Sequence, residues 1–236
     1  MTRRGQSFGR RPAAREVFDL VRIFCEGAKT EPAYLRGLIA DLGLPGSVRV
    51  VGDCPPTPEK VVDAALDWLD RQFEEEGEAR PIALFCVFDR DGHHHFEAAC
   101  ARLVEAARRH AKRQVTIRAI PSFPCFEIWF LFHHRRTRKA IVASGGKSAG
   151  DCAVAELRRI DGFAGYAKGD GSWYARTRDR LATATDNARY ARKDAEDTGE
   201  PNPSTDIDLL VDHLRGMAAK IERQKAASRA RPHRGA

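Results

Sequence analysis

Two apolar runs in this chain end in acid. V-R-I-F-C-E-G carries Glu26, and A-L-F-C-V-F-D-R-D-G carries Asp89 and Asp91. An ionised carboxylate at the rim of a core is costly unless a cation pairs with it, and a divalent metal is such a partner. The period of two along a strand puts Asp89 and Asp91 on one face. If the strand of Glu26 lies beside theirs, three carboxylates converge. Hard oxygen ligands select Mg²⁺ or Mn²⁺ over zinc. An ion held there would activate a water and offset negative charge on a bound substrate.

Other residues could complete such a site. Glu127 lies in P-C-F-E-I-W-F-L-F, an apolar helical segment where a bare acid is poorly tolerated. It reads as a fourth ligand, as an acid that orients one, or as a salt-bridged core residue, with Phe126, Trp129 and Phe130 in the core. Lys168 in G-Y-A-K-G-D is flanked by glycines that let backbone approach a phosphate. A cation there stabilises an oxyanion, while a plain surface-loop lysine is the alternative. Arg176, Arg178, Arg180 and Arg189, with Arg192 and Lys193, follow Trp173 and Tyr174. They are the best internal candidates for gripping a nucleic-acid backbone, opposed by Asp179, Asp186 and Asp194. Arg90 and Lys29 join that phosphate-contacting set, and Thr30 beside Lys29 could touch phosphate too, although capping alone explains it.

Two tempting motifs are set aside. His93-His94-His95 has no Cys or His partner at zinc-ligand spacing, although one of the three could position water or phosphate. Gly145-Gly146-Lys147-Ser148 imitates a phosphate-binding loop, but Ile141 stands where the first glycine belongs and no strand precedes it. The chain is not expected to bind ATP through that loop.

The elements that must position these residues alternate. Strands are expected over Val17 to Cys25, Val48 to Val51, Ile82 to Phe88 and Val115 to Ile120. Helices are expected over Thr30 to Leu42 (capped by Thr30), Pro58 to Glu76 and Phe96 to Lys112. This is the pattern of an α/β parallel sheet of about four strands with helices on both sides, and its ligand site belongs at the carboxyl edge. From Pro124 the pattern turns helical: Cys125 to His134, Asp151 to Ile160, Trp173 to Glu196 and Ser204 to Lys225. The expected organisation is a basic tail (1–15), an α/β core (16–123), a helical portion packed on it (124–225) and a second basic tail (226–236).

The net charge of +7 over 236 residues hides an asymmetry. Residues 1–15 hold five arginines and no acid, and residues 220–236 hold six bases against Glu222. The stretch between holds 29 bases and 32 acids. The high isoelectric point therefore belongs to the tails and does not reveal a binding groove. Six cysteines without a C-x-x-C read as reduced thiols. No apolar run reaches the length of a membrane span or signal peptide, so a soluble, cytoplasmic protein is expected.

The strand into Glu-Gly followed by a strand into Asp-x-Asp resembles the Toprim module of nucleases, primases and topoisomerases. More of the chain is similar to the RloB family: F-C-E-G-A-K-T-E-P-A-Y-L, C-V-F-D-R-D, P-S-F-P-C-F-E-I-W-F-L-F-H-H, G-Y-A-K-G and N-P-S-T-D-I-D-L-L-V occur in that order over about residues 20–215. The resemblance implies a Toprim-like nuclease of the OLD and abortive-infection type in bacterial anti-phage defence, in some loci beside an AAA-type ATPase. It also implies a second acidic position at Glu31, which could equally just complement a helix dipole. The expected partner is DNA or RNA, tRNA included, with self-association possible and no membrane. Two other readings stay open. F-D-R-D-G also resembles the nucleophile motif of haloacid-dehalogenase-like phosphatases, with Asp89 phosphorylated and Asp91 as general acid; a non-catalytic scaffold that binds nucleic acid or an ATPase is the third.

Overall fold

The computed structural model describes residues 19–76, 80–90, 92 and 95–230. Both tail ends, Asp91, His93 and His94 lie outside the described residues.

Strands and helices alternate from the start: β1 (Leu20–Glu26), α1 (Thr30–Asp41), β2 (Val48–Cys54), α2 (Pro58–Glu76), β3 (Ile82–Asp89), α3 (Phe96–Arg109) and β4 (Val115–Phe123). The sheet order is β2-β1-β3-β4-β5, with the first four strands parallel. The fifth, β5 (Ser204–Thr205), runs antiparallel against the end of β4. The α/β fold with helices on both faces is thus as the alternation predicts, with one short edge strand more.

The seven buried residues at the head of β3 explain its unbroken apolar run, because both faces are covered. Ala83, Phe85 and Val87 enter one core with α1 and the C-terminal helices, whereas Ile82, Leu84, Cys86 and Phe88 enter the other with α2 and α3. After β4 come α4 (Glu127–Phe132), α5 (Ala149–Leu157), α6 (Trp173–Thr177), a 3₁₀ turn (Arg178–Arg180), α7 (Leu181–Thr198) and α8 (Ile207–Ala230). All six residues of α4 are buried. Trp129, Phe130, Trp173 and Leu210 share a single core with Val21 and Ile23 of β1. The six cysteines are free thiols.

Several boundaries differ from the sequence expectation for identifiable reasons. The helix expected over Trp173 to Glu196 is three pieces. The Thr177 hydroxyl donates to the Trp173 carbonyl at 2.7 Å, and the following turn tightens to 3₁₀ geometry. The helix expected from Ser204 begins only at Ile207, because Ser204 and Thr205 pair with Phe123 and Ser122. There the hydroxyls of Ser122 and Thr205 are 2.8 Å apart. Thr30 is the first residue of α1 rather than its cap; Lys29 holds the cap position without a side-chain bond. The Gly-Gly-Lys-Ser stretch forms a turn into α5, where Ser148 and Asp151 make a reciprocal capping box.

Candidate active site

Connections from β1 and β3 leave toward opposite edges of the sheet, so the crevice beyond their carboxyl ends is the switch point where α/β proteins bind ligands. The two strands pair in register through Cys25 and Val87, so Glu26 and Asp89 emerge side by side. The Asp89 backbone N–H donates to Glu26 Oε2 at 3.0 Å. Gly27, at φ +72°, turns the chain into α1, whose first turn carries Glu31. Beyond β4 the chain turns at Pro124 into α4, which opens with Glu127.

Glu127 is 1% exposed. Its Oε1 accepts the Tyr166 hydroxyl at 2.9 Å and pairs with Lys168 Nζ at 3.3 Å. Its Oε2 is buried with no hydrogen-bond partner. A bare carboxylate oxygen in a protein interior is costly, and it marks a place where a cation or a proton is wanted. Lys168 itself is largely exposed.

The loop carrying Tyr166 and Lys168 is pinned at several points. The Gly169 N–H donates to Thr30 Oγ1 at 3.2 Å, across the N-terminus of α1. Arg158 Nε and Nη2 both donate to the Tyr166 carbonyl, at 3.1 and 2.9 Å. Trp173 Nε1 donates to the Ala167 carbonyl at 3.3 Å. Gly169 sits at φ +90°, a conformation that a side chain would strain.

The acids of this crevice act on one another. Burial, then the charges of Glu31, Glu127 and Glu26, hold the Asp89 carboxyl well above the usual range against the opposing pull of Lys168. Burial pushes Glu31 up to about 7; its backbone hydrogen bond opposes, and Glu127 and Glu26 add to the rise. For Lys168, burial is the largest influence and works against the charged form, but Glu127, Cys125 and Asp89 together outweigh it and the ammonium ends above its ordinary value. Tyr166 is raised by burial and then by Glu127, so it remains a proton donor to that carboxylate.

Glu127 is thus paired with Lys168, and Asp89, Glu31 and Glu26 lie near enough for their charges to be felt in the same crevice. Their hard oxygen donors, the orphaned Glu127 oxygen and the mutual repulsion that raises Asp89 and Glu31 all suit a divalent cation. Among the described residues, no three His, Cys, Asp or Glu side chains stand close enough together to hold a metal ion as they are placed. Asp91, the remaining acid of the motif, lies outside them. Glu26, Asp89, Glu31 and Glu127 are the described residues that could hold such an ion.

The remaining candidates are dispersed. Arg90 lies over the Phe96 ring and pairs with Glu97 at 2.9 Å. Arg176 lies over the Trp173 ring. Arg178 pairs with Asp41 of α1, and Arg189 with Asp186 and Asp212. Arg192 is drawn to the fully buried Asp208 at 2.6 Å. Arg180 and Lys29 are exposed, and His95 stands 3.7 Å from Glu59. Sequence reasoning passed over Tyr166 and Arg158 as parts of the site. The Tyr in G-Y-A-K-G, two residues from the lysine, was the available signal.

Fold and site together define a doubly wound α/β protein with an acidic crevice, attended by a lysine, at its switch point. The family model for RloB-like proteins matches residues 21–214, and the chain belongs to that family. No curated protein and no solved structure matches it significantly.

Proposed function

We propose that this RloB-like protein is a metal-dependent nuclease that hydrolyses phosphodiester bonds, with Glu26, Asp89, Asp91, Glu31 and Glu127 as the carboxylates that take up Mg²⁺ or Mn²⁺. The observation that carries the reading is the buried Glu127. One of its oxygens is fixed by Tyr166 and Lys168 and the other is bare, in a crevice where three further acids crowd together. A bound cation would supply an activated water and a positive charge for the scissile phosphate. Tyr166 and Lys168 hold the Glu127 carboxylate in one orientation, so its free oxygen is preorganised. Lys168, reaching from that carboxylate to solvent, would neutralise a phosphate oxygen as charge builds. Anti-phage defence, a cytoplasmic setting and an AAA-type ATPase partner belong to this proposal and are supported by the family resemblance alone. No helix among the described residues is long and apolar enough to cross a membrane.

The test is incubation of the purified full chain with labelled single-stranded DNA, duplex DNA and tRNA, in Mg²⁺, Mn²⁺ or EDTA. Cation-dependent shortening of at least one substrate is expected, falling roughly 100-fold or more in Asp89→Asn and Glu127→Gln. Absence of cleavage, or equal rates in the variants, sinks the reading. A beryllofluoride adduct on Asp89 together with phosphatase activity would assign the site to phosphoryl transfer instead.

A further inference from the structure

Two clefts adjoin along α5. One, of about 460 Å³, has Leu131, Ile141 and Val142 among its lining and is ringed by Arg135, Lys139 and Arg159. The other, of about 480 Å³, is bounded by Arg158, Tyr166 and Lys168. Lys147 and Ala155 line both, so the clefts meet there. Lys168, at the far end, is the residue 3.3 Å from Glu127. A basic track thus runs from the segment after α4 to the carboxylate crevice.

Six cations line this track against Glu156 and Asp151. The chain between its tails is net acidic, so the concentration is local. Both acids are already engaged: Glu156 is shared by Arg135 at 3.0 Å and Arg159 at 2.6 Å, and Asp151 closes the capping box with Ser148. Among the described residues Lys139 and Lys147 make no ion pair, and both are exposed. Val142 is 60% exposed beside them.

We propose that this track binds one strand of nucleic acid, its phosphates foremost on Lys139 and Lys147 and its bases toward the apolar floor, and leads it over Lys147 to the acidic crevice. That the strand is cut at the end of the track rests on the nuclease reading; its binding does not. A duplex keeps its bases stacked inside and offers only phosphates, whereas a single strand can lay its bases on exposed apolar surface. Each cleft also has the dimensions that enclose a small molecule rather than a double helix.

Binding of labelled oligothymidylate to the full chain is measured in EDTA over a range of salt. Each phosphate neutralised on a single strand contributes about −0.7 to the slope of log K against log salt. Lys139→Ala with Lys147→Ala should therefore flatten the slope by about 1.4. The control pair Lys60→Ala with Lys112→Ala, on the opposite helical layer, should leave it unchanged. Two native thiols give an independent readout. Half-buried Cys152 lines the first cleft, whereas half-buried Cys100 lies on α3 across the sheet. Oligothymidylate should slow alkylation of Cys152 and spare Cys100.

An unchanged slope in the double variant, or equal effects on the two thiols, overturns the proposal. So does an oligothymidylate–oligoadenylate duplex that binds more tightly and protects Cys152 better than the single strand. Binding with these signatures but no cleavage in Mg²⁺ or Mn²⁺ removes the nuclease reading and leaves the track standing. Cleavage without them does the reverse.

Discussion

Asp89 is held in a state that costs the fold something in the absence of a cation. Its carboxyl is raised by burial and by Glu31, Glu127 and Glu26, so its ionised form at neutral pH weighs against the folded state. Asp89→Asn removes the charge and keeps the shape, and the backbone N–H that bonds Glu26 is untouched. In EDTA at pH 7 the variant should melt higher than the parent by about 2–4 °C, the shift that about 1 kcal/mol produces in a chain of this size. Mn²⁺ should raise the parent's melting temperature and leave the variant's nearly unmoved. Thermal melts with and without Mn²⁺ check both; a variant that melts lower, or that still responds fully to Mn²⁺, would show that Asp89 is not strained toward a cation. The same residue is thus a liability for stability and the first candidate for function, a trade-off common where charge is gathered for chemistry.

At the scale of elements, the site depends on a loop laid across a helix start. The Gly169 N–H bond to Thr30 Oγ1 joins the Lys168 loop to α1, and at Gly169 an added Cβ would stand 3.3 Å from Lys29 Cβ at a positive φ. Gly169→Ala should cost roughly 1–2 kcal/mol through backbone strain. Thr30→Val removes the acceptor while nearly preserving volume and should cost about 1 kcal/mol. Because each change breaks the same joint, the double variant should lose less than the sum of the two. Urea unfolding of the four proteins measures this, and strict additivity would mean that the bond does not hold the loop. Close approach shapes the neighbouring packing as well: a Cβ at Gly52 of β2 would meet Pro32 of α1 at 2.3 Å, and one at Gly37 would meet Tyr174 of α6 at 2.8 Å. These glycines let α1 sit against both the sheet and the C-terminal layer, which is how Glu31 reaches the crevice.

Over the whole molecule, the sheet divides two apolar cores, and the larger one encloses polar groups that must stay neutral. His133 is wholly buried among Tyr34, Trp129 and Phe130. Its Nδ1 lies 2.8 Å from the Trp129 carbonyl, so that nitrogen donates, and Nε2, 3.2 Å from the Tyr34 hydroxyl, accepts. Burial pulls its pKa from 6.5 down to about 4. The unfolded chain therefore takes up the proton first on acidification. The stability this group contributes is complete above about pH 6.5 and is lost as pH falls toward 4, by about 3 kcal/mol in all. Between pH 7 and pH 4 the parent should lose roughly that much more stability than His133→Gln, a comparison in which the titration of Asp89 and Glu31 cancels. Denaturant unfolding across that range reads the difference, and parallel pH profiles would place the protonation elsewhere.

Local chemistry made much of this protein legible. A strand buried on both faces must be continuously apolar, so β3 could be read from I-A-L-F-C-V-F, and its acid end could be seen as anomalous without knowing what lay beside it. The same reasoning flagged Glu127 and Lys168 one at a time. Strand order could not be read, because periodicity says which face a residue occupies and nothing about which strand is its neighbour. Only the β1–β3 pairing sets the Asp89 N–H on Glu26, 63 residues away. Nor could the sequence say which charges cancel. Arg178 and Arg189 looked like part of a basic stripe until folding set Asp41 and Asp212 against them, whereas Lys147, dismissed with a false phosphate loop, came to join two basic clefts. Identity and spacing fix what a residue can do; the distance to groups far along the chain fixes its charge balance, and distance is a property of the packed structure alone.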